Sequence, residues 1–511
     1  MFHIFLCLLL LLIIEAPVCS ETNWVKFDTT LGSHWSARNG HATAVFDNKI
    51  WLTGGRGNTF TMYDQVNKQA TRFGDVWCFE LGDTTWQQKL SLTGNFEEQN
   101  KEYLSGGTYA PWYSRFGHTL TPFDMDGDGV DDCMIQIGGF SPDPNNDVWI
   151  TLDGEHWSFI EYAPFSGRGW HSAIVHEQKL YVMGGSPLNN EIWVTDYVRQ
   201  LGNDRYQTNW YQITSHVPWM PRAGFGLVIQ NRTAAALNDT AVDPEDLGET
   251  MYILGGYGGW PSTNRKYDGV RGRNDVWKSR DGENWELVTA MADWASRAWM
   301  GALVWHSLGD TTSDVMGGSN VPRIWVAGGG YIGTMGNNIV STMEAYVDLW
   351  WSRDGDSWTQ VSFVEGEDSY LKSSQEWALT SDEEDVYIGK YGQTLVGYKR
   401  YNTDSSSGTT STIAVMYMLG GDYVEDGTLD PERSVYYSSQ GVLCDIEGVT
   451  CNDKGVCNSG NSGCSCTNES YIGEYCERLN PNYKSVASTS SLPFTVMFIS
   501  IMSVNVIGNW S

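Results

Sequence analysis

Between Asp124 and Asp132 the chain reads Asp-Met-Asp-Gly-Asp-Gly-Val-Asp-Asp. This puts carboxylates at loop positions one, three, five and nine, with Gly129 at six and the Val130 carbonyl at seven, and so arrays hard oxygen donors around a tight turn as calcium coordination requires. The expected ligands of a structural calcium ion are therefore Asp124, Asp126, Asp128, Val130 through its carbonyl, and Asp132. Five aspartates in nine residues repel one another unless a cation intervenes. The setting is not a helix-loop-helix. Position twelve is Ile135 rather than a glutamate, and the flanks, His118-Thr119-Leu120-Thr121 and Met134-Ile135-Gln136-Ile137, read as strands.

Two further groups have chemical potential. Arg38, Arg115, Arg168, Arg222 and Arg297 stand at equivalent places in five repeated segments, with His41, His118 and His171 three residues beyond the first three of them. If the first strand of each unit lines an axis, the arginines are candidate anion-binding groups, suited to a carboxylate or sulfate such as a glycan carries. Their other use is hydrogen bonding between neighbouring units. Cysteines form the last group: Cys444, Cys451, Cys457, Cys464, Cys466 and Cys476 crowd into one stretch. In a secreted chain such density is a disulfide framework, and counting alone leaves fifteen pairings. An oxidising compartment argues against zinc there. Of the other four, Cys7 and Cys19 fall in a leader segment, which leaves Cys78 and Cys133, expected to pair with each other.

What positions these residues is a repeat. Six short apolar runs end in a glycine pair, at Gly54-Gly55, Gly138-Gly139, Gly184-Gly185, Gly255-Gly256, Gly328-Gly329 and Gly420-Gly421. Upstream of the first five lie Arg38-Asn39-Gly40-His41, Arg115-Phe116-Gly117-His118, Arg168-Gly169-Trp170-His171, Arg222-Ala223-Gly224-Phe225 and Arg297-Ala298-Trp299-Met300. Downstream come Asp75-Val76-Trp77, Asp147-Val148-Trp149, Glu191-Ile192-Trp193, Asp275-Val276-Trp277 and Asp348-Leu349-Trp350, and then a second tryptophan, Trp86, Trp157, Trp210, Trp285 or Trp358. Four strands per unit make one propeller blade. Such an array needs glycine where the inner strand leaves a crowded axis and tryptophan for area between blades, which accounts for 56 Gly and 24 Trp.

These motifs resemble the kelch repeat over roughly 23–442. The resemblance implies an all-β, six-bladed kelch-type β-propeller. The last unit starts at Lys390-Tyr391-Gly392-Gln393-Thr394 and lacks a second tryptophan after Ser434-Val435-Tyr436-Tyr437, whereas Asn23-Trp24-Val25-Lys26-Phe27 reads like a fourth strand. The expectation is a ring closed by the N-terminal strand, which removes two open sheet edges. The Asp124 loop in its strand-loop-strand setting resembles the calcium loops of integrin-type FG-GAP repeats. Around 443–478, Cys464-Ser465-Cys466 followed by Tyr471-Ile472-Gly473-Glu474-Tyr475-Cys476 resembles an EGF-like module. That likeness implies Cys444–Cys457, Cys451–Cys464 and Cys466–Cys476 bridges. Ser279-Arg280-Asp281-Gly282-Glu283-Asn284-Trp285 and its echoes at 352–358 and 152–157 resemble the Asp-box of sialidases with one residue missing; Asp-Gly between strands is the chemistry of a tight hairpin, and no activity is read from it.

Residues 1–20 form an apolar leader with small residues before Glu21, read as a signal peptide. Beyond the propeller (21–442) and the EGF-like module, 479–511 hold a small-residue tract and an apolar run, Leu492 to Ile507, read as a possible membrane anchor or GPI signal. Asn231, Asn238 and Asn468 head glycosylation sequons. A net charge of −30 argues against nucleic acid and suits a secreted or cell-surface protein. No nucleophile-base pair, carboxylate pair or phosphate loop stands out. The expectation is an extracellular protein or glycan binder, not an enzyme. Its alternative is a secreted kelch-fold copper oxidase or carbohydrate-active enzyme.

Overall fold

A computed structural model describes residues 35–57, 71–80, 85–91, 110–232, 247–259, 271–305, 322–360 and 387–438, with short interior breaks, and isolated strands at 24–26, 379–380 and between 455 and 479. Among the described residues every regular element is a strand. The chain divides into two compact units, Met1–Leu443 and Cys444–Ser511.

In the first unit five antiparallel sheets follow one another along the chain, each built on a four-strand meander and one carrying a short fifth strand. Blade one is Ala42–Phe46, Lys49–Thr53, Val76–Glu80 and Gln87–Leu90. Blade two is Thr119–Phe123, Cys133–Ser141, Asp143–Thr151 and Trp157–Tyr162. Blade three is Ser172–His176, Lys179–Met183, Ile192–Thr195 and Tyr211–Thr214. Blade four has Gly226–Arg232, Gly248–Gly258, Arg271–Ser279 and Glu286–Thr289, with Arg222–Ala223 added at its inner end. Blade five is Gly301–Trp305, Arg323–Ala327, Leu349–Ser352 and Trp358–Gln360.

Among the described residues the blades built from strands in chain order number five, one fewer than the six expected. The remaining four-stranded sheet is assembled from both ends of the unit. Thr394–Thr403 pairs Thr410–Leu419, which pairs Val435–Ser438, and the outer place is taken by Trp24–Lys26, with Val25 opposite Tyr437. Buried clusters join neighbours in order. One packs Trp51, Cys78 and Leu120 between blades one and two, another Cys133, Ile150 and Val182 between two and three. Others pack Met183 and Ile253 between three and four, Leu254 and Val326 between four and five, and Trp325, Leu395 and Met416 between blade five and the two-ended sheet. The rings of Phe79 and Tyr417 meet at 6.2 Å, linking that sheet to blade one.

Cys78 and Cys133 form no disulfide. The two side chains are buried in different interblade clusters, and Cys133 Sγ donates instead to the Phe123 carbonyl at 3.4 Å. The expected bridge fails because Val76–Glu80 and Cys133–Ser141 lie in separate sheets and each cysteine faces its own interface.

In the second unit Gly455–Cys457 pairs Cys464–Cys466, and Tyr471–Ile472 pairs Arg478–Leu479. Residues 444, 451 and 476, like the leader and the tail beyond 479, lie outside the described residues. Among the described residues no helix is long and apolar enough to cross a membrane.

Candidate binding surface at the axial mouth

Each arginine of the repeat enters its blade beside the first strand and is 0–1 % exposed. Arg38 donates to the Gly54 carbonyl at 2.7 Å and to both carboxylate oxygens of Asp75 at 2.6 and 2.9 Å. Arg115 makes the same contacts with Gly138 and Asp147, Arg222 with Gly255 and Asp275, and Arg297 with Gly328 and Asp348. Arg168 uses Gly184 and Glu191. The same carboxylates accept from the indoles of Trp77, Trp149, Trp193, Trp277 and Trp350. Arginine, glycine pair and Asp-x-Trp are thus one brace that fastens the start of a blade to its second and third strands. Burial pushes the Asp147 and Asp275 carboxyls up, but Arg115 and Arg222, with the indole donors, outweigh it and hold both below the usual range.

This corrects the expectation of an anion-binding ring at Arg38, Arg115, Arg168, Arg222 and Arg297. A guanidinium buried against its own carboxylate has no charge to offer a ligand.

The histidines join blades. His118 Nε2 meets Thr53 Oγ1 at 2.8 Å, His171 Nε2 meets Thr119 Oγ1 at 3.1 Å, and His41 Nε2 meets Thr394 Oγ1 at 3.0 Å. Gly54 makes room for the first of these: a Cβ there would lie 2.6 Å from His118 Cε1, and its φ of +58° suits glycine. Burial, with Arg38 and Arg168 beside them, lowers His41 and His171 to about 3 and holds His118 well below 6.5. They are neutral struts at physiological pH.

Inside the histidines runs a ring that the sequence did not disclose. Gly117 N donates to Gly40 O, Trp170 N to Gly117 O, Gly224 N to Trp170 O, Trp299 N to Gly224 O, Gly392 N to Trp299 O, and Gly40 N to Gly392 O, at 2.7–3.1 Å. The circle returns to its start, with one residue from the bend that leads into the first strand of each of six sheets. All six residues have φ between +54° and +70°. Glycine takes that conformation freely, whereas tryptophan there carries strain on the order of 1–3 kcal/mol. The third residue of each Arg-x-Gly or Arg-x-Trp segment was the available signal.

The connections after the glycine pairs surround this ring. Asn39 pairs Arg56, Phe116 pairs Phe140, Gly169 pairs Ser186, Ala223 pairs Tyr257 and Ala298 pairs Gly330. On this mouth lie the half-buried rings of Phe116, Phe140, Trp170, Tyr257 and Trp299, with the Arg56 guanidinium 4.8 Å from the Phe116 centroid. Partly exposed aromatics with a cation beside them make a surface that binds flat or apolar groups and orients them by charge.

The meander puts the hairpins between first and second, and third and fourth, strands at the opposite end. There the Asp124 loop projects from blade two. Asp124 Oδ1 accepts from the amides of Asp126 at 3.2 Å and Gly127 at 2.7 Å, and its Oδ2 from Gly129 at 2.8 Å and from Gln178 Nε2 at 3.2 Å. Donor oxygens of Asp124, Asp126 and Asp128 lie within 4.8 Å of one another. Asp132 instead accepts from the Met125 amide at 2.8 Å, and Val130 is exposed. The residues present therefore fit a cation on three carboxylates. Also at this end, Asp153, Asp281 and Asp354 each cap their own hairpin by accepting two backbone amides, while Trp157, Trp285 and Trp358 donate to the turn glycine carbonyl. A structural hairpin, not a sugar site, uses those residues.

An open cavity of about 570 Å³ near Arg232, Lys278 and Arg280 lies on the same end. Arg232 and Arg280 already donate to the carbonyls of Arg353 and Leu247, and Lys278 pairs with Glu286 at 3.4 Å. Asn231 is exposed on Gly226–Arg232; Asn238 and Asn468 lie outside the described residues.

No family model matches the chain. It is similar to a leucine-zipper-like transcriptional regulator 1 homolog of Drosophila melanogaster, 24% identical over 263 residues, which cover 40% of this chain. The match spans about a quarter of the length of that curated relative, 24%. Among solved structures, that of YjhT is similar at 11% identity with a TM-score of 0.43, covering 80% of this chain and 96% of that one. Likeness at that level carries no argument about the site.

Proposed function

We propose that this chain is an extracellular or cell-surface binding protein that recognises a protein or glycan through the axial mouth of a kelch-type propeller. Leader, cysteine-rich unit and sequons together support secretion, and the tail at 479–511 supports membrane attachment. In this reading the two-ended sheet is a sixth blade, closed by Trp24–Lys26; the ring of six axial hydrogen bonds supports it. Residues 443–478 are an EGF-like module carrying the three bridges its likeness implies, which the hairpin Gly455–Cys457 with Cys464–Cys466 supports. A structural calcium ion sits on Asp124, Asp126 and Asp128, with Val130 and Asp132 as the further expected ligands.

The observation that carries the reading is the mouth itself: five half-buried aromatic rings gathered on the one end where blade-to-blade loops converge. Against an enzyme stand the histidines nearest the axis, which are bonded to threonines and which burial lowers, His41 and His171 to about 3 and His118 well below 6.5, too low for acid-base work at neutral pH. The test is binding of the calcium-loaded chain to cell surfaces and to immobilised glycans, alongside a Phe116→Ala/Tyr257→Ala variant. Saturable binding lost in the variant is expected. Binding indifferent to the variant, or stoichiometric copper accompanied by turnover, would replace this reading with the enzymatic one.

A further inference from the structure

At four places in the axial ring glycine takes the left-handed conformation, and at two, Trp170 and Trp299, tryptophan does. Part of the reason is packing, for a Cβ on Gly40 would lie 2.5 Å from the Trp170 indole and one on Gly224 would lie 2.7 Å from Trp299. The Trp170 indole therefore lies across the glycine of blade one, two blades away, and the Trp299 indole across that of neighbouring blade four. Both keep partly exposed surface and continue a line of rings: Phe140 to Phe116 at 5.2 Å, Phe116 to Trp170 at 5.9 Å, Trp170 to Trp299 at 6.0 Å and Trp299 to Tyr257 at 6.0 Å.

One end of this strip is cationic in a chain of net charge −30. Arg56, over Phe116, is the cross-strand partner of Arg72. Like charges directly opposite are unfavourable. Burial first, and then Arg56, pull the Arg72 guanidinium below its ordinary value, with Asp143 opposing them in part. Arg72 Nε is buried without a hydrogen-bond partner. An anion seated beside the two guanidinium groups would relieve the repulsion.

We propose that the mouth binds an acidic saccharide, its rings stacked along Phe116, Trp170 and Trp299 and its carboxylate or sulfate held by Arg56 and Arg72. This rests on the reading of the chain as a binding protein. A peptide strand is disfavoured because the rim amides and carbonyls are already paired: Phe116 with Phe140, Gly169 with Ser186, and Ala298 with Gly330 donate to each other reciprocally. Pyranose faces need no backbone edge, only flat apolar surface with their hydroxyls left in water.

The test is tryptophan-fluorescence and calorimetric titration of the full chain with a uronate oligosaccharide, a sulfated oligosaccharide and a neutral one of equal length. Both or either acidic probe should bind and perturb the emission, the neutral one at least ~10-fold more weakly. Trp170→Gly places glycine where the other blades have it, so melting should be retained while Kd rises at least ~10-fold. Arg72→Gln should erase the preference for acid and flatten the salt dependence. Equal affinity for all three probes, wild-type affinity in both variants, or no saccharide binding would overturn the proposal. If cell-surface binding that depends on Phe116 and Tyr257 persists while every saccharide fails, only the ligand class falls. If that binding is also absent, the broader reading falls with it.

Discussion

Acidification should unlock the propeller through its three axial histidines. His41, His118 and His171 are buried, meet a threonine hydroxyl through Nε2, and lie beside arginines, so the folded state holds them neutral. The unfolded chain protonates each near 6.5. A folded-state pKa depressed in this way gives stability that is fully present above about 6.5 and is lost as pH falls below it, toward about 3. At pH 5 His41 and His171 then withdraw about 2 kcal/mol each, and His118 adds to the loss in the same direction, a large share of a typical folding free energy. His156, raised by Asp153, is protonated in both states at pH 5 and adds no slope there. Urea unfolding followed from pH 7 to pH 5 should show uptake of close to three protons between pH 5.5 and 5. His118→Gln, which keeps an amide donor near Thr53, should reduce the slope by about 1.4 kcal/mol per pH unit. Stability that is flat over this interval, or a slope unchanged in the variant, would refute the account of these residues as neutral struts.

Other outcomes follow from the same contacts. Arg115→Met strands the buried Asp147 and should cost about 3–5 kcal/mol, read as a fall in denaturant midpoint. Calcium should raise the melting temperature, by the equivalent of about 2.7 kcal/mol at a hundredfold excess over Kd, and Asp126→Ala should abolish the rise; a variant that responds like the wild type removes the ion from the account. Deleting residues 21–30 opens the two-ended sheet beside Val435–Ser438 and should melt the whole ring cooperatively, whereas an unchanged melting curve would contradict closure by that strand.

The blade pattern was legible in the sequence because its parts are local: a glycine pair ends an apolar run, and each strand follows within a few residues. Arg38 and Asp75 were each visible, but their union was not, since 37 residues separate them and only the fold brings the guanidinium to the carboxylate. Read without its partner, the arginine row suggested an anion site. The same gap misled the pairing of Cys78 with Cys133, where nearness of blades does not fix which face a side chain takes. Trp170 and Trp299 escaped notice because the motif was aligned on arginine and histidine, while the constraint at the intervening position is the sign of φ, which residue type reports only when it is glycine.

The most direct test of the ring is hydrogen exchange at the amides of Gly40, Gly117, Trp170, Gly224, Trp299 and Gly392. A closed circle predicts that all six are protected to a similar degree and lose protection together on deletion of residues 21–30. Rapid exchange at Gly392 or Gly40 in the intact chain, with the other four protected, would mean that the circle is open between its first and last members.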